Sequence, residues 1–415
     1  VRISIAFAKR GLSLASLPFT ILFIAWNFSP QARDEFVNLF AMTSMLALLC
    51  RFGADEFLYS TITAQDTEFS RAISHSHATL LLSFGLLACA IIAWLGIRQP
   101  RDHDTILAVI STTVALILLQ NRATAFQIRG RTFASSVTFP GAFLLVVVIA
   151  IAAGVDLKHA FFLAALISII VTLPLVAKEG SNCEKREQIS PRKLIAQMVP
   201  YAAINTNKVC FAWGASMYVV TILDAAALST FVVASRLSAM FSLPANCLNA
   251  YVLRELTMNQ SAGESVANYR LMTSVIRLSI AIQLLILLIY LCTFPIIAGA
   301  FRVDPIALLV VMTPLCVAQI FHGLSGPAGA FLLVHGQQHV VATISIVVAM
   351  FAFAFGYLGA ANFGLIGLGI ATGAMLVIQN IAFMVVMFRC HGNLPLSGFL
   401  GINSCASRSS IRVRL

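Results

Sequence analysis

KEGSNCEKREQISPRK, residues 178–193, is the only long hydrophilic segment between the N-terminus and residue 390. It lies near the middle of a 415-residue chain, and the sequence on either side is built of apolar runs. A soluble two-domain protein would also have a polar linker, but not flanks like these. Each flank has room for about six helices of roughly 20 residues, the length that crosses a hydrocarbon core about 30 Å thick. The segment therefore reads as a cytoplasmic linker over 178–196 between an N-terminal lobe, 1–177, and a C-terminal lobe, 197–390. Residues 391–415 read as a basic, Ser-rich cytoplasmic tail. The expected fold is an all-α integral membrane protein, with about twelve transmembrane helices in two pseudo-symmetric six-helix lobes.

Composition leads to the same reading independently. The chain is 59% hydrophobic and 10% charged, with a mean hydropathy of +0.91, whereas ordinary soluble domains are about 25% charged. So few charges cannot clothe the exterior of a large soluble core. The net charge of +11 is spread through short loops. No compact basic patch interleaved with aromatics appears, so nucleic acid is not expected as a partner, whereas membrane lipid is.

Arg2, Lys9 and Arg10 precede a first apolar run over 12–28. The run ends in Trp26-Asn27-Phe28-Ser29-Pro30 without a small-x-small cleavage site, so it is read as a retained helix and not as a signal peptide. Further spans are expected at 36–59, 76–97, 105–127, 133–154 and 159–177. After the linker they follow at 197–222, 225–251, 272–299, 305–333, 340–360 and 364–388. With the N-terminus inside, the cytoplasmic loops and ends hold nineteen Lys and Arg. The outside loops hold five: Arg33, Arg98, Arg101, Lys158 and Arg302. By the positive-inside rule both termini and the linker are cytoplasmic.

The halves also repeat. Ala125-Phe126-Gln127-Ile128-Arg129-Gly130-Arg131 joins spans four and five, and Ala330-Phe331-Leu332-Leu333-Val334-His335-Gly336-Gln337 joins spans ten and eleven. Each is followed about two dozen residues later by a small-residue turn, at Ala153-Gly154 and at Gly359. Duplicated halves are common in transporters.

A family resemblance rests on several short segments of the chain. In the first half these are Phe52-Gly53-Ala54-Asp55-Glu56-Phe57 and Arg129-Gly130-Arg131. In the second they are Met198-Val199-Pro200, Val334-His335-Gly336 and the run from Gly359 to Gly369. Over roughly residues 1–390 the chain resembles the bacterial polysaccharide, or O-antigen, flippases of the multidrug/oligosaccharidyl-lipid/polysaccharide exporter superfamily. The resemblance implies a V-shaped pair of six-helix lobes opening alternately to each side of the bacterial cytoplasmic membrane. The implied cargo is an oligosaccharide on polyprenyl pyrophosphate, and other membrane proteins of polysaccharide assembly are implied partners. No cofactor is expected.

Individual residues carry a physical reading of their own. Lys208 falls about 11 residues into span seven, where burying a cation costs about 2.5–3.5 kcal/mol on insertion scales. Tyr201, Asn205, Lys208, Ala212 and Ser216 share one polar-to-small helical face. The functional reading makes Lys208 and Asn205 part of a wet cavity wall touching an anionic group; the alternative pairs Lys208 with a carboxylate. Arg236 lies inside span eight, at the edge of a stripe formed by Ser235, Ser238, Ser242, Asn246 and Asn249. Arg51 either pairs with Asp55, four residues on, or faces substrate. Arg122, near a cytoplasmic helix end, either meets a phosphate or snorkels. Gln319 and His322, just before the break Gly323-Leu324-Ser325-Gly326-Pro327, face either a cavity or a neighbouring helix.

No constellation for catalysis is present. His75-x-His77 and His335-x3-His339 lack completing ligands nearby, so no metal is expected. The nine cysteines contain no Cys-x-x-Cys, and there is no Gly-x4-Gly-Lys-Ser/Thr loop for a nucleotide phosphate. A membrane polymerase or glycosyltransferase would be expected to show a large outside loop, and every expected outside loop is short. The chain is therefore read as a non-enzyme. A cation-coupled drug exporter of the same superfamily is the alternative. Its members often carry an acid in the first helix, and 12–28 contains none. A major-facilitator transporter is disfavoured by the absence of its Gly-x3-Asp-Arg-x-Gly-Arg-Arg loop between residues 61 and 74.

Overall fold

The structure, a computed structural model, describes residues 30–51, 103–128, 142–181, 191–209, 225–261, 265–301 and 303–391, with Thr20, Phe23, Gly53, Phe57, Gly85, Phe211, Ile222 and Leu223. Apart from Thr20, Phe23 and Gly85, the expected spans at 12–28 and 76–97 lie outside the described residues, as do the acids Asp55 and Glu56, the turn Arg129-Gly130-Arg131 and the tail from 392.

Among the described residues the regular elements are helices. In the first half they are α1 (Pro30–Cys50), α2 (His103–Ile128), α3 (Ala142–Ala152) and α4 (Leu157–Ser181). The second half has α5 (Pro191–Val209), α6 (Ala225–Ala239), α7 (Leu243–Ser261), α8 (Ser265–Phe301), α9 (Pro305–Ser325), α10 (Ala328–Val334) and α11 (Gln338–His391). Helix α2 packs on α1 and α4, and α3 packs on α4; α9 is the centre of the second half, packed on α6, α8 and α11. Helix α5 touches both halves, through α1 and through α11.

The surface is that of a protein whose solvent is lipid. Leu284, Leu285, Leu288, Leu291 and Ile296 on α8 are all more than half exposed, while Gln283 on the same helix is 2% exposed. Buried hydroxyls return their protons to their own helix, as Thr43 does to the Leu39 carbonyl (2.8 Å), Thr113 to Val109 (2.7 Å) and Thr257 to Leu253 (2.9 Å). In a bilayer no water is at hand to satisfy them, so local back-bonding substitutes.

Helix ends follow from local chemistry. Asp304 caps α9 by accepting from the amides of Ile306 (3.3 Å) and Ala307 (2.9 Å), with Pro305 at the first helical position. Gly154, at φ +85°, makes the turn between α3 and α4, and the salt bridge Lys158–Glu35 (3.6 Å) brings the starts of α4 and α1 together. Pro244 in the first turn of α7 has no N–H to return to the Met240 carbonyl, and the chain over Met240–Ser242 tightens to a 3₁₀ turn. Span eight is therefore two helices around a break, and it runs on to Ser261.

Helix α11 comprises spans eleven and twelve, broken and reversed at Gly364, whose φ of 59° and ψ of −141° suit only glycine. The sequence places the turn at Gly359; the backbone places it five residues on. Gly359 instead lies against Gly367 across the hairpin, and a Cβ at Gly359 would meet the Gly367 carbonyl oxygen at 2.6 Å. Two helices can approach this closely only where both lack side chains.

Candidate functional site

Helices α5 to α11 all contribute to the wall of a cavity of about 470 Å³, and every described residue that lines it falls between Ile204 and Phe383. Lys208 comes from α5, Arg236 from α6, Gln319 and His322 from α9, and Gln379 and Asn380 from α11. The two cations chosen from the sequence thus share one cavity, although 28 positions separate them. No Asp or Glu is among the described residues that line it.

The serine stripe forms part of the wall. Ser235, Ser238 and Ser242 all line the cavity. Ser238 donates to the Ser235 carbonyl (2.9 Å) and Ser242 to the Ala239 carbonyl (2.7 Å). The side chains of Asn246 and Asn249 lie outside the described residues.

Opposite them is a polar network. The Asn380 amide nitrogen donates to the Leu376 carbonyl (2.7 Å), which turns Oδ1 toward Nδ1 of His322 (2.9 Å) and the Ser325 hydroxyl (2.9 Å). An amide oxygen only accepts, so Nδ1 carries the proton of the neutral His322 ring. Gln379 donates to the Ser345 hydroxyl (3.4 Å). Gln283 of α8 donates to the carbonyls of Phe241 (2.9 Å) and of the cavity-lining Gln319 (3.1 Å), tying the 3₁₀ break to α9. Gly323 makes room for it, since a Cβ there would lie 2.6 Å from the Gln283 amide carbon.

The other residues chosen from the sequence go elsewhere. Asn205 is buried and donates to the Leu48 carbonyl at the end of α1 (2.5 Å), and Tyr201 meets the Phe57 ring edge-on, with centroids 5.7 Å apart. The cavity face of α5 is instead Ile204, Asn207 and Lys208, with Phe211 one turn on. Arg51 is 5% exposed and donates to Gln120 (2.7 Å) and Thr124 (3.4 Å) on α2. The Arg122 guanidinium covers the Phe126 ring at 4.6 Å. Neither arginine is among the residues lining this cavity.

Sequence reasoning passed over Gln283, Gln379 and Asn380. Each had a signal: a lone amide in Ile280-Ala281-Ile282-Gln283-Leu284-Leu285, and a pair in Val377-Ile378-Gln379-Asn380-Ile381. Polar groups at such depth are costly unless partnered.

No protein-family model matches the sequence, and no curated protein matches it. Solved structures do match, over nearly the whole chain. A MATE structure in complex with MaD5 aligns with TM-score 0.67 at 16% identity, covering 94% of each chain. The outward-facing conformation of a multidrug-resistance MATE family transporter of the MOP superfamily aligns with TM-score 0.66 at 16% identity, again over 94% of each. The Vibrio cholerae MATE transporter VcmN in its bent form aligns with TM-score 0.62 at 16% identity, over 93% of this chain and 95% of that one. The class is thereby defined: an all-α integral membrane protein with the twelve-helix, two-lobe fold of these transporters.

Proposed function

We propose that this chain moves an anionic, lipid-linked cargo across the bacterial cytoplasmic membrane by alternating access, and that the cargo is an oligosaccharide on polyprenyl pyrophosphate. The observation that carries this reading is the charge of the cavity: Lys208 and Arg236 line it without an acid among the described lining residues. Cations inside a membrane domain are costly, and they attract a diphosphate strongly where the surroundings are poor in water. Lys208 and Arg236 would engage the pyrophosphate, with serines and amides around it for sugar hydroxyls. A cavity of about 470 Å³ takes the head of such a cargo and not its whole length.

The second reading is a drug exporter, and the solved structures that align with the chain favour it, since one of them is described as a multidrug-resistance transporter. Its cavity size also suits a drug-sized ligand. Against cationic drugs stands the same two-cation lining.

Deletion in the native host separates the two. On the first reading surface glycan is lost and complete lipid-linked repeat units accumulate in the inner leaflet. Unchanged glycan with increased sensitivity to drugs would establish the second. Repeat units that reach the outer leaflet but fail to lengthen would point instead to a polymerase.

A further inference from the structure

We propose that His322 makes anion binding in this cavity proton-linked: the ring takes up a proton when an anion binds and releases it when the anion leaves. The inference rests on the reading of the cavity as an anion site.

The geometry assigns each nitrogen its role. Asn380 is oriented by its own donation to the Leu376 carbonyl, so its Oδ1 accepts from Nδ1 of His322 at 2.9 Å. Nδ1 therefore already carries a proton in the neutral ring, and Nε2 is the nitrogen left for the cavity that His322 lines. The incoming proton comes from water in the cavity and adds to the Nε2 lone pair, with no other bond changed.

The charged groups around the ring set the sign. Lys208 of α5 and Arg236 of α6 line the same cavity as His322. From α8 the lining side chains are Val275 and Ser279, and from α11 those beside the ring are the neutral Gln379 and Asn380. An anion bound beside the ring attracts the proton, and by reciprocity the proton tightens the anion. The Asn380 contact stays intact throughout, because Nδ1 donates in both ring states.

Sulfate is a suitable probe, because its charge is constant between pH 5.5 and 8. Its binding to the full-length protein in lipid nanodiscs would be followed by calorimetry in two buffers of different ionisation enthalpy. The expected result is net proton uptake and an affinity roughly tenfold or more higher at pH 5.5 than at 7.5, the range over which an ordinary imidazole titrates. His322→Gln should bind sulfate more weakly than the original at pH 5.5, and that binding should show neither proton uptake nor pH dependence. Sulfate binding by the unaltered protein without proton uptake would overturn the inference and leave the anion-site reading standing. Proton uptake that persists in His322→Gln would also overturn it, by assigning the proton elsewhere. Absence of binding of both sulfate and inorganic pyrophosphate at every pH would overturn the anion-site reading, and this inference with it.

Discussion

Gly53, beyond the end of α1, lies directly on the backbone of Tyr201 in α5. A Cβ at Gly53 would run into the Tyr201 carbonyl and come within 2.6 Å of the Ala202 nitrogen. Together with the Asn205–Leu48 hydrogen bond and the Phe57–Tyr201 ring contact, it joins the first half of the chain to the second. Gly53 also holds φ at +74°, so a side chain there is opposed twice. Gly53→Ala should destabilise the protein by roughly 2–4 kcal/mol, from backbone strain and overpacking together. Gly154→Ala is the control, with φ +85° but open space around it, and should cost only the strain, about 1–2 kcal/mol. Thermal unfolding in detergent reads both, and equal losses would show that the Tyr201 contact contributes nothing.

Gln283 answers two backbone carbonyls at once, one of them at the 3₁₀ break. Gln283→Leu fits the surrounding apolar run but leaves the Phe241 and Gln319 carbonyls without that donor. A cost of about 1–3 kcal/mol for each buried polar group so exposed is expected. Gly323→Ala should mimic it in part by displacing the amide. A Gln283→Leu protein as heat-stable as the original would show that these carbonyls have other partners.

His335 sits in the turn between α10 and α11, stacked on Phe331 with centroids 3.9 Å apart and donating from Nδ1 to the Phe331 carbonyl at 2.8 Å. Burial holds its pKa below the ordinary imidazole value. The folded protein therefore binds fewer protons here than the unfolded chain. The stability this contributes is complete above the unfolded value of about 6.5 and is lost as pH falls through the lower folded value. His335→Gln should flatten the decline in unfolding temperature between neutral and acid pH; a decline of the same slope would assign it to other groups.

Lys208 and Arg236 are expected to act through charge. Lys208→Arg and Arg236→Lys should keep most of the transport, and either Ala variant should lose it about tenfold or more, the equivalent of about 1.4 kcal/mol of binding. The double Ala variant should be worse than either, and a reversal to Glu worse again through repulsion of the anionic head. Surface glycan in cells carrying only the variant, at matched protein level, is the readout. Normal glycan with the double Ala variant would remove both residues from the mechanism.

Orientation follows from the basic loops. Reporter fusions after residues 185 and 395 should be active in the cytoplasm, and one near Asp102 outside it. An externally active fusion in the linker would overturn the orientation.

Much of the fold was legible in one dimension. Hydropathy alone marked α2, α4, α8 and α9, because a bilayer requires about 20 apolar residues in a row and forces their backbones into helices. Helix α1 instead begins at Pro30, six residues before the expected span 36–59, and takes Arg33 into the helix. The proline rule applies equally at Pro244, but hydropathy carries no mark of the 3₁₀ break at Met240–Ser242, because the break changes backbone hydrogen bonding and not the polarity of the run. The reversal in α11 was misplaced by five residues because Gly359, Gly364, Gly367 and Gly369 look alike in sequence. Only conformation separates the glycine that turns the chain from the two that let its arms touch.

The cavity shows the same division. That Lys208 and Arg236 are anomalous was visible from sequence, since charge at membrane depth is costly whatever surrounds it. That they share a cavity, while Arg51 turns to Gln120 and Asn205 to Leu48, was decided by tertiary structure. Helical periodicity gives the direction of a side chain around its own axis and says nothing of which helix lies opposite. Tyr201, Asn205 and Lys208 lie along one side of α5, yet Phe57 beyond α1 covers the first and Leu48 at the end of α1 the second, while the third borders the cavity. The partner, and with it the difference between a structural amide and a cavity cation, exists only once the helices have packed.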